Sequence, residues 1–176
     1  MHDAIGLNPS PFPSAKVVVA ERPNIFDFSY YVQQTTMSQL FVKKLRENAV
    51  IPSRQTSGSV GFDLTTTMDI IIMPHKTELI QTGIAICIPV GHYGHIMPRS
   101  GWAVKGLAVN AGVIDQDYRG EIKVVCFNTT PSPIEISKGN RVAQLIIEKI
   151  SVPEVVVVEE FEQTTRNTNG FGSSGN

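Results

Sequence analysis

Residues 79–91 read LIQTGIAICIPVG. Apolar and β-branched side chains dominate the first ten positions, and Pro89-Val90-Gly91 then stops the run. Isoleucine and threonine fit a pleated, half-buried surface, whereas proline and glycine break one, so the stretch reads as strand. Comparable runs lie on both sides: LFVKKL at 40–45, DIIIM at 69–73, EIKVVCF at 121–127, RVAQLIIEKI at 141–150 and VVVVEEF at 155–161. Turn signals separate them at Pro52, Gly58, Pro74-His75, Pro131 to Pro133, Lys138-Gly139-Asn140 and Pro153. Spacing near ten residues with such breaks predicts an all-β sandwich, jelly roll or barrel. The best helical window is SGWAVKG at 100–106, one or two turns long, with Ser100 placed to cap its N-terminus.

The chain has 176 residues, enough for one domain with a substantial core. Apolar residues make up 41% and charged residues 18%, and the formal net charge is −1. No global basic field is available to attract nucleic acid, so any bound anion must be gripped by a local cluster. Cys87 and Cys126 sit in the apolar runs AICIP and VVCFN and read as buried free thiols without metal-ligand spacing. A reducing compartment follows from that reading. No apolar run is long enough to predict a membrane span, and the N-terminus lacks the pattern of a secretory signal. The expected location is therefore intracellular, cytoplasmic or nuclear, with no nucleic acid and no membrane among the partners.

Residues 1–36 differ from the rest. NPSPFPS places Pro9, Pro11 and Pro13 on alternate positions, which favours an extended, unpaired arm. VVVA at 17–20 and FDFSYY at 26–31 are candidates for a short strand or a peripheral strap within this partly disordered extension. A compact domain is expected from Met37 to residue 163. Residues 164–176, ending RNTNGFGSSGN, have the composition of a flexible tail.

Four internal segments carry chemistry beyond strands and turns. SVGFDL (59–64) sets Asp63 between Phe62 and Leu64, and MPRSGWAVKG (97–106) sets Arg99 and Ser100 at the mouth of the short helix. VNAGVIDQDYRGE (109–121) crowds Asp115 and Asp117 after a small apolar run, and KGNRVAQLI (138–146) brings Arg141 and Gln144 into a strand. Free backbone N–H groups, a hydroxyl and an arginine together suit an anion, although Arg99 could equally be a surface residue. An aspartate is ionised at neutral pH and can take a proton from water, although Asp115 and Asp63 could equally be turn residues. His92 and His95 in GHYGH have no partner for a metal and read as exposed hairpin histidines.

In this order the segments resemble the five motifs of the trimeric deoxyuridine triphosphatases. VGFDL, PRSG, AGVIDQDYRGE and GNRVAQL are similar to the first four, and RNTNGFGSSG is similar to the fifth. The resemblance covers residues 37–176. It implies a distorted jelly-roll, barrel-like homotrimer whose C-terminal arms are exchanged, VVVVEE crossing to a neighbour. It also implies hydrolysis of dUTP to dUMP and diphosphate with Mg²⁺, which limits uracil in DNA and supplies dUMP for thymidylate synthesis.

Residue roles follow from the same resemblance. Asp115 would orient and deprotonate the attacking water, and Asp63 would act on the metal through its water shell. Arg99, Ser100 and Gly101 would hold phosphate oxygens, helped by Gln144, while Arg141 would be structural, between subunits. A backbone hairpin from Asn110 through Gly112 and Val113 to Ile114, with a strand contact near Lys123, would pair with uracil. Tyr118 would pack on the deoxyribose. From the tail, Phe171 would stack on the base, Arg166 would reach the phosphates, and Gly172, Ser173 and Ser174 would wrap the terminal phosphate. Asn167 and Asn169 replace glycines common in the family, and asparagine tolerates left-handed dihedrals. Trp102 replaces a smaller residue and reads as a packing aromatic at the trimer seam. Two alternatives are a dCTP deaminase of the same fold, which QDYRG disfavours, and a regulatory module without catalysis.

Overall fold

The computed structural model describes residues 39–165, 167 and 168. The N-terminal extension, Met37, Arg166, Asn169 and the tail residues 170–176 lie outside the described residues. So do the expected roles of Arg166, Phe171, Gly172, Ser173 and Ser174.

The all-β expectation holds. Strands β1 (Phe41–Lys44), β2 (Phe62–Thr65), β3 (Ile70–Ile72), β4 (Thr77–Gln81), β5 (Ile84–Cys87) and β6 (His92–Pro98) precede one helical turn, α1 (Ser100–Ala103). Strands β7 (Leu107–Val109), β8 (Val113–Ile114), β9 (Lys123–Asn128), β10 (Ile134–Ile136) and β11 (Arg141–Lys149) follow it. Four antiparallel sheets result, ordered β2-β11-β6-β8, β4-β9-β7, β1-β5 and β10-β3. Among the described residues no helix is long and apolar enough to cross a membrane.

The run at 79–88 becomes two strands in different sheets, β4 against β9 and β5 against β1. The corner lies at Thr82-Gly83. Gly83 has φ +70°, and a Cβ there would come within 2.9 Å of the Thr67 side chain. Glycine is needed both for the dihedral and for the close approach. The Thr82 hydroxyl donates to the Ile122 carbonyl and ties the corner down.

Period-two alternation explains which side chains enter the core. In β9, Val124, Cys126 and Asn128 point inward while Lys123, Val125 and Phe127 are half-buried. Leu64, Ile72, Ile80, Ile84, Leu107, Ile122, Ile136 and Leu145 are almost fully buried beside them. Each stabilises the fold by roughly 1.5–3 kcal/mol relative to exposure. Asn128 is a polar residue buried as completely as these. Its Nδ2 donates to the carbonyls of Ile72 and Ser132 at 2.9 and 2.8 Å, and its Oδ1 accepts from the Thr130 backbone and hydroxyl. A buried amide with every group partnered fixes the β3, β9 and β10 ends against one another.

Several expectations need correction. Ser100 does not cap α1: Arg99 holds the N-cap position in an extended conformation without a side-chain cap bond, and Ser100 is the first helical residue. Cys87 is only half-buried, because its position at the end of β5 faces the rim; Cys126 is buried as expected. VVVVEEF forms no strand, and Val155, Val156 and Val157 are exposed. Strand formation needs a partner for the backbone N–H and C=O groups, and the described residues of this chain offer none there. His95 is not on a hairpin tip but within β6, paired with Glu148 of β11. Asn167 does adopt a left-handed conformation, with φ 43°.

Candidate active site

Sheet order explains the first cluster. β11 lies between β2 and β6, so Asp63 on β2, Arg99 just beyond β6 and Arg141 at the start of β11 converge. Arg99 Nε lies 2.9 Å from Asp63 Oδ1, and Arg141 Nη1 lies 3.1 Å from Asp63 Oδ2. The Asp63 side chain is 10% exposed, against 28% for Arg99 and 43% for Arg141. A carboxylate this buried needs such partners, while both guanidinium groups keep free N–H donors for solvent or a ligand.

The β2–β11 register shifts between Arg141 and Ala143, where two residues of β11 advance against one of β2, as in a bulge. There the Arg141 carbonyl accepts two side-chain donors, Arg99 Nη1 and Trp102 Nε1, each at 3.0 Å. Gln144 Nε2 donates to the Pro98 carbonyl at 2.9 Å and fixes the strand that leads into Arg99. The Gln144 side chain fills the space over Gly61, where a Cβ would overlap its Oε1. Gln144 therefore supports the cluster and lines neither cleft described here.

An open cleft of about 540 Å³ lies beside this network, lined by Arg99, Gly101, Trp102, Lys105, Gly139, Asn140 and Arg141. Three cations against the single Asp63 carboxylate make it electropositive. One helical turn contributes little dipole, so the anion preference rests on the side chains. Ser100 is exposed at the turn's start.

A second cleft, about 290 Å³, is lined by Leu79, Val113, Ile114, Asp115, Tyr118, Glu121 and Lys123. Asp115 follows β8 directly and is exposed; its carbonyl accepts from the Tyr118 N–H at 3.1 Å, closing a turn. The Tyr118 hydroxyl donates to the Glu121 carbonyl at 3.1 Å, and its ring lies over Gly120. Apolar walls with two carboxylates and an ammonium in the lining suit a flat polar molecule.

The expected hairpin from Asn110 to Ile114 is instead a crossing between sheets. β7 pairs with β9 and β8 pairs with β6. The Asn110 N–H donates to Val125 and the Ile96 N–H to Gly112, both at 2.8 Å, with Ala111 between them at φ 56°. A two-sheet connection holds both ends of the segment more firmly than a free hairpin would.

The two clefts share no lining residue. One chain thus groups Arg99, Gly101 and Arg141 apart from Val113, Ile114, Asp115, Tyr118 and Lys123. Among the described residues no three His, Cys, Asp or Glu side chains are placed to hold a metal.

Sequence reading missed a further cluster. His95 Nδ1 and the Tyr93 hydroxyl each lie 2.9 Å from a Glu148 oxygen, and the Tyr93 and His95 rings stack at 5.8 Å. Hydrogen bonds from His95 and then Tyr93 hold the Glu148 carboxyl below its usual range, while the bond to Glu148 raises Tyr93. No local signal announces this cluster, because it depends on the β6–β11 register. Burial pushes the Cys126 thiol up to about 12.

The dUTPase family profile matches residues 47–175. The chain belongs to the dUTPase family. It is 49% identical over 140 residues to the deoxyuridine 5'-triphosphate nucleotidohydrolase of Paramecium bursaria Chlorella virus 1, covering 79% of this chain and 99% of that protein. The Arabidopsis thaliana enzyme of the same name is 47% identical over 135 residues, covering 76% and 81%. Among solved structures, the Staphylococcus bacteriophage 80alpha dUTPase with dUPNHPP superposes with a TM-score of 0.73 at 31% identity, covering 78% of this chain and 98% of that one. A dUTPase of S. aureus phage phi11, described with a structural Mg(II) ion, gives a TM-score of 0.68 at 28% identity, covering 72% and 100%. As a dUTPase family member, the chain places its match across both clefts and into the tail.

Proposed function

We propose that this chain hydrolyses dUTP to dUMP and diphosphate at a site built from both clefts, contributed by different copies of a homotrimer. The observation that carries the shared site is the separation within one chain of the tricationic cleft from the cleft ending in Asp115. Neither alone offers both a phosphate grip and a base for the attacking water.

The narrower cleft takes the nucleoside. Backbone groups between Asn110 and Ile114 pair with the uracil edge, close to Lys123, and Tyr118 packs on the deoxyribose. Cytosine reverses the donor pattern at that edge and leaves buried groups unpaired, which costs several factors of ten in discrimination. Asp115 takes a proton from water as its oxygen bonds to the α-phosphorus. The bond from phosphorus to the bridging oxygen breaks, and its electron pair leaves with diphosphate. Arg99, Ser100 and Gly101 of the neighbouring copy hold the phosphate oxygens, with Gln144 supporting Arg99 and Arg141 tying the network together.

Mg²⁺ suits this donor set, because it keeps several waters and needs few protein ligands. Bound with the substrate, it would supply charge neutralisation for the departing diphosphate. Asp63 reaches such an ion only through water, since each of its oxygens already accepts from an arginine. Residues 37–163 form the domain, and 164–176 serve as a lid in which Phe171 stacks on the base, Arg166 meets the phosphates, and Gly172, Ser173 and Ser174 enclose the last one. The exposed valines at 155–158 pair with the neighbouring copy on the way.

Complementation tests the shared site. Asp115→Asn should bind dUPNHPP almost as the parent does while losing at least about a hundredfold in turnover. Arg99→Ala should be nearly inactive for a different reason. Unfolding and refolding the two together should restore part of the activity, since mixed trimers contain sites with neither lesion. Parent-like turnover by Asp115→Asn sinks the base assignment, and failure of the mixture to regain activity, or a monomeric mass, sinks the shared site.

A further inference from the structure

The sole tryptophan of the chain lies at the electropositive cleft, against the Lys105 ammonium and the Arg141 backbone. Its Nε1 donates to the Arg141 carbonyl at 3.0 Å, the same oxygen that receives Arg99 Nη1 at 3.0 Å. The ring face lies 5.2 Å from Lys105 Nζ, within cation–π range. Trp102 is half-buried and packs against the core on its other side.

These contacts leave Arg99 few choices. Nε is committed to Asp63 and one Nη1 N–H to the Arg141 carbonyl, so both N–H groups of Nη2 and the second of Nη1 remain for a ligand. A carbonyl oxygen has two lone pairs, and here both are taken, one by Arg99 and one by the indole. The indole bond holds the bulged backbone of Arg141 where the guanidinium expects it. Without the indole, the carbonyl can turn back toward water and Arg99 gains rotamer freedom. Lys105, a flexible ammonium, is meanwhile kept over the cleft by the ring rather than swinging into solvent.

We infer that Trp102 is a positioning residue for polyphosphate binding, orienting Arg99 through the shared Arg141 carbonyl and Lys105 through its ring face. The inference rests on the assignment of this cleft to the phosphates. A residue that merely filled space would affect all ligands alike; one that orients cations affects only ligands carrying phosphate.

The test compares calorimetric binding of dUPNHPP with competitive inhibition by deoxyuridine, which has no phosphate. Trp102→Phe removes the N–H donor and keeps a ring, and Trp102→Leu removes both. Loss of one net hydrogen bond corresponds to about a three- to tenfold weaker dissociation constant for dUPNHPP in Trp102→Phe. Trp102→Leu should weaken it further, and deoxyuridine inhibition should stay within about twofold in both. Arg99→Ala serves as the reference for the cleft. Loss of affinity in Arg99→Ala but none in Trp102→Phe overturns the role of Trp102 alone. Equal weakening of both ligands by Trp102→Phe overturns it too, by showing a general packing role. Parent-like dUPNHPP affinity in Arg99→Ala overturns the phosphate assignment and the inference with it.

Discussion

Replacing Gly112 by alanine puts one methyl group into a tight backbone crossing. A Cβ on Gly112 would lie 2.6 Å from the Ile96 carbonyl oxygen and 3.4 Å from the Ile96 nitrogen and carbonyl carbon. Even close C–H···O contacts need roughly 3.3–3.6 Å, so the strands must part by about 0.7 Å or more. No flexible side chain can absorb the shift, because the obstacle is backbone. The Ile96 N–H to Gly112 carbonyl bond, 2.8 Å long, then stretches out of hydrogen-bond range. Ile96 is 4% exposed, so its N–H has no water to turn to. A lost bond and a stranded donor together cost about 2–4 kcal/mol, offset by about 0.4–1 kcal/mol from the stiffer unfolded chain. The expected net loss is about 1.5–3 kcal/mol in urea unfolding. The same shift moves the segment assigned to uracil, and a displacement near 1 Å lowers kcat/KM for dUTP by about a hundredfold. Gly58→Ala is the control, since a Cβ there meets nothing within 4 Å. Gly112→Ala within about 0.5 kcal/mol of Gly58→Ala would refute the steric argument.

Asp63→Asn leaves two guanidinium groups facing an amide. Breaking a buried pair costs about 3–5 kcal/mol, and the partial exposure of Arg99 and Arg141 reduces this to about 2–3 kcal/mol in denaturant unfolding. Iodoacetamide at pH 8 should leave Cys126 unmodified in the folded protein and label it only after unfolding, as mass spectrometry would show. Its thiol, raised to about 12, is buried and protonated there. Glu148 gives an acid-limb prediction. Its folded pKa is lowered, so its stabilisation is present above the ordinary glutamate range near 4.5 and fades as pH falls through the folded value. Melting curves of Glu148→Gln should therefore lose less stability than the parent as the pH is lowered below the ordinary glutamate range near 4.5, and parallel curves would contradict the cluster's role.

Strand identity was legible where apolar and β-branched runs lie between turn signals, a local property. EIKVVCF holds most of β9, and RVAQLIIEKI contains β11. The motif residues were legible as a set as well, since Asp63, Arg99, Asp115 and Gln144 sit in segments whose order matches the family. The limits were equally local. LIQTGIAICI looked continuous, yet Gly83 turns it into two sheets, and VVVVEEF looked like a strand although nothing among the described residues pairs with it.

By itself the sequence determined the all-β class and the family, because each is written in residue type and short-range spacing. Tertiary structure alone decided how the residues of the family motifs meet. Asp63 and Arg141 are 78 positions apart, and only the insertion of β11 between β2 and β6 makes them partners. The bulge after Arg141, the separation of the two clefts and the His95–Glu148 pair likewise follow from strand register. Register is fixed by the collective packing of side chains distant in sequence, so no local window can encode it.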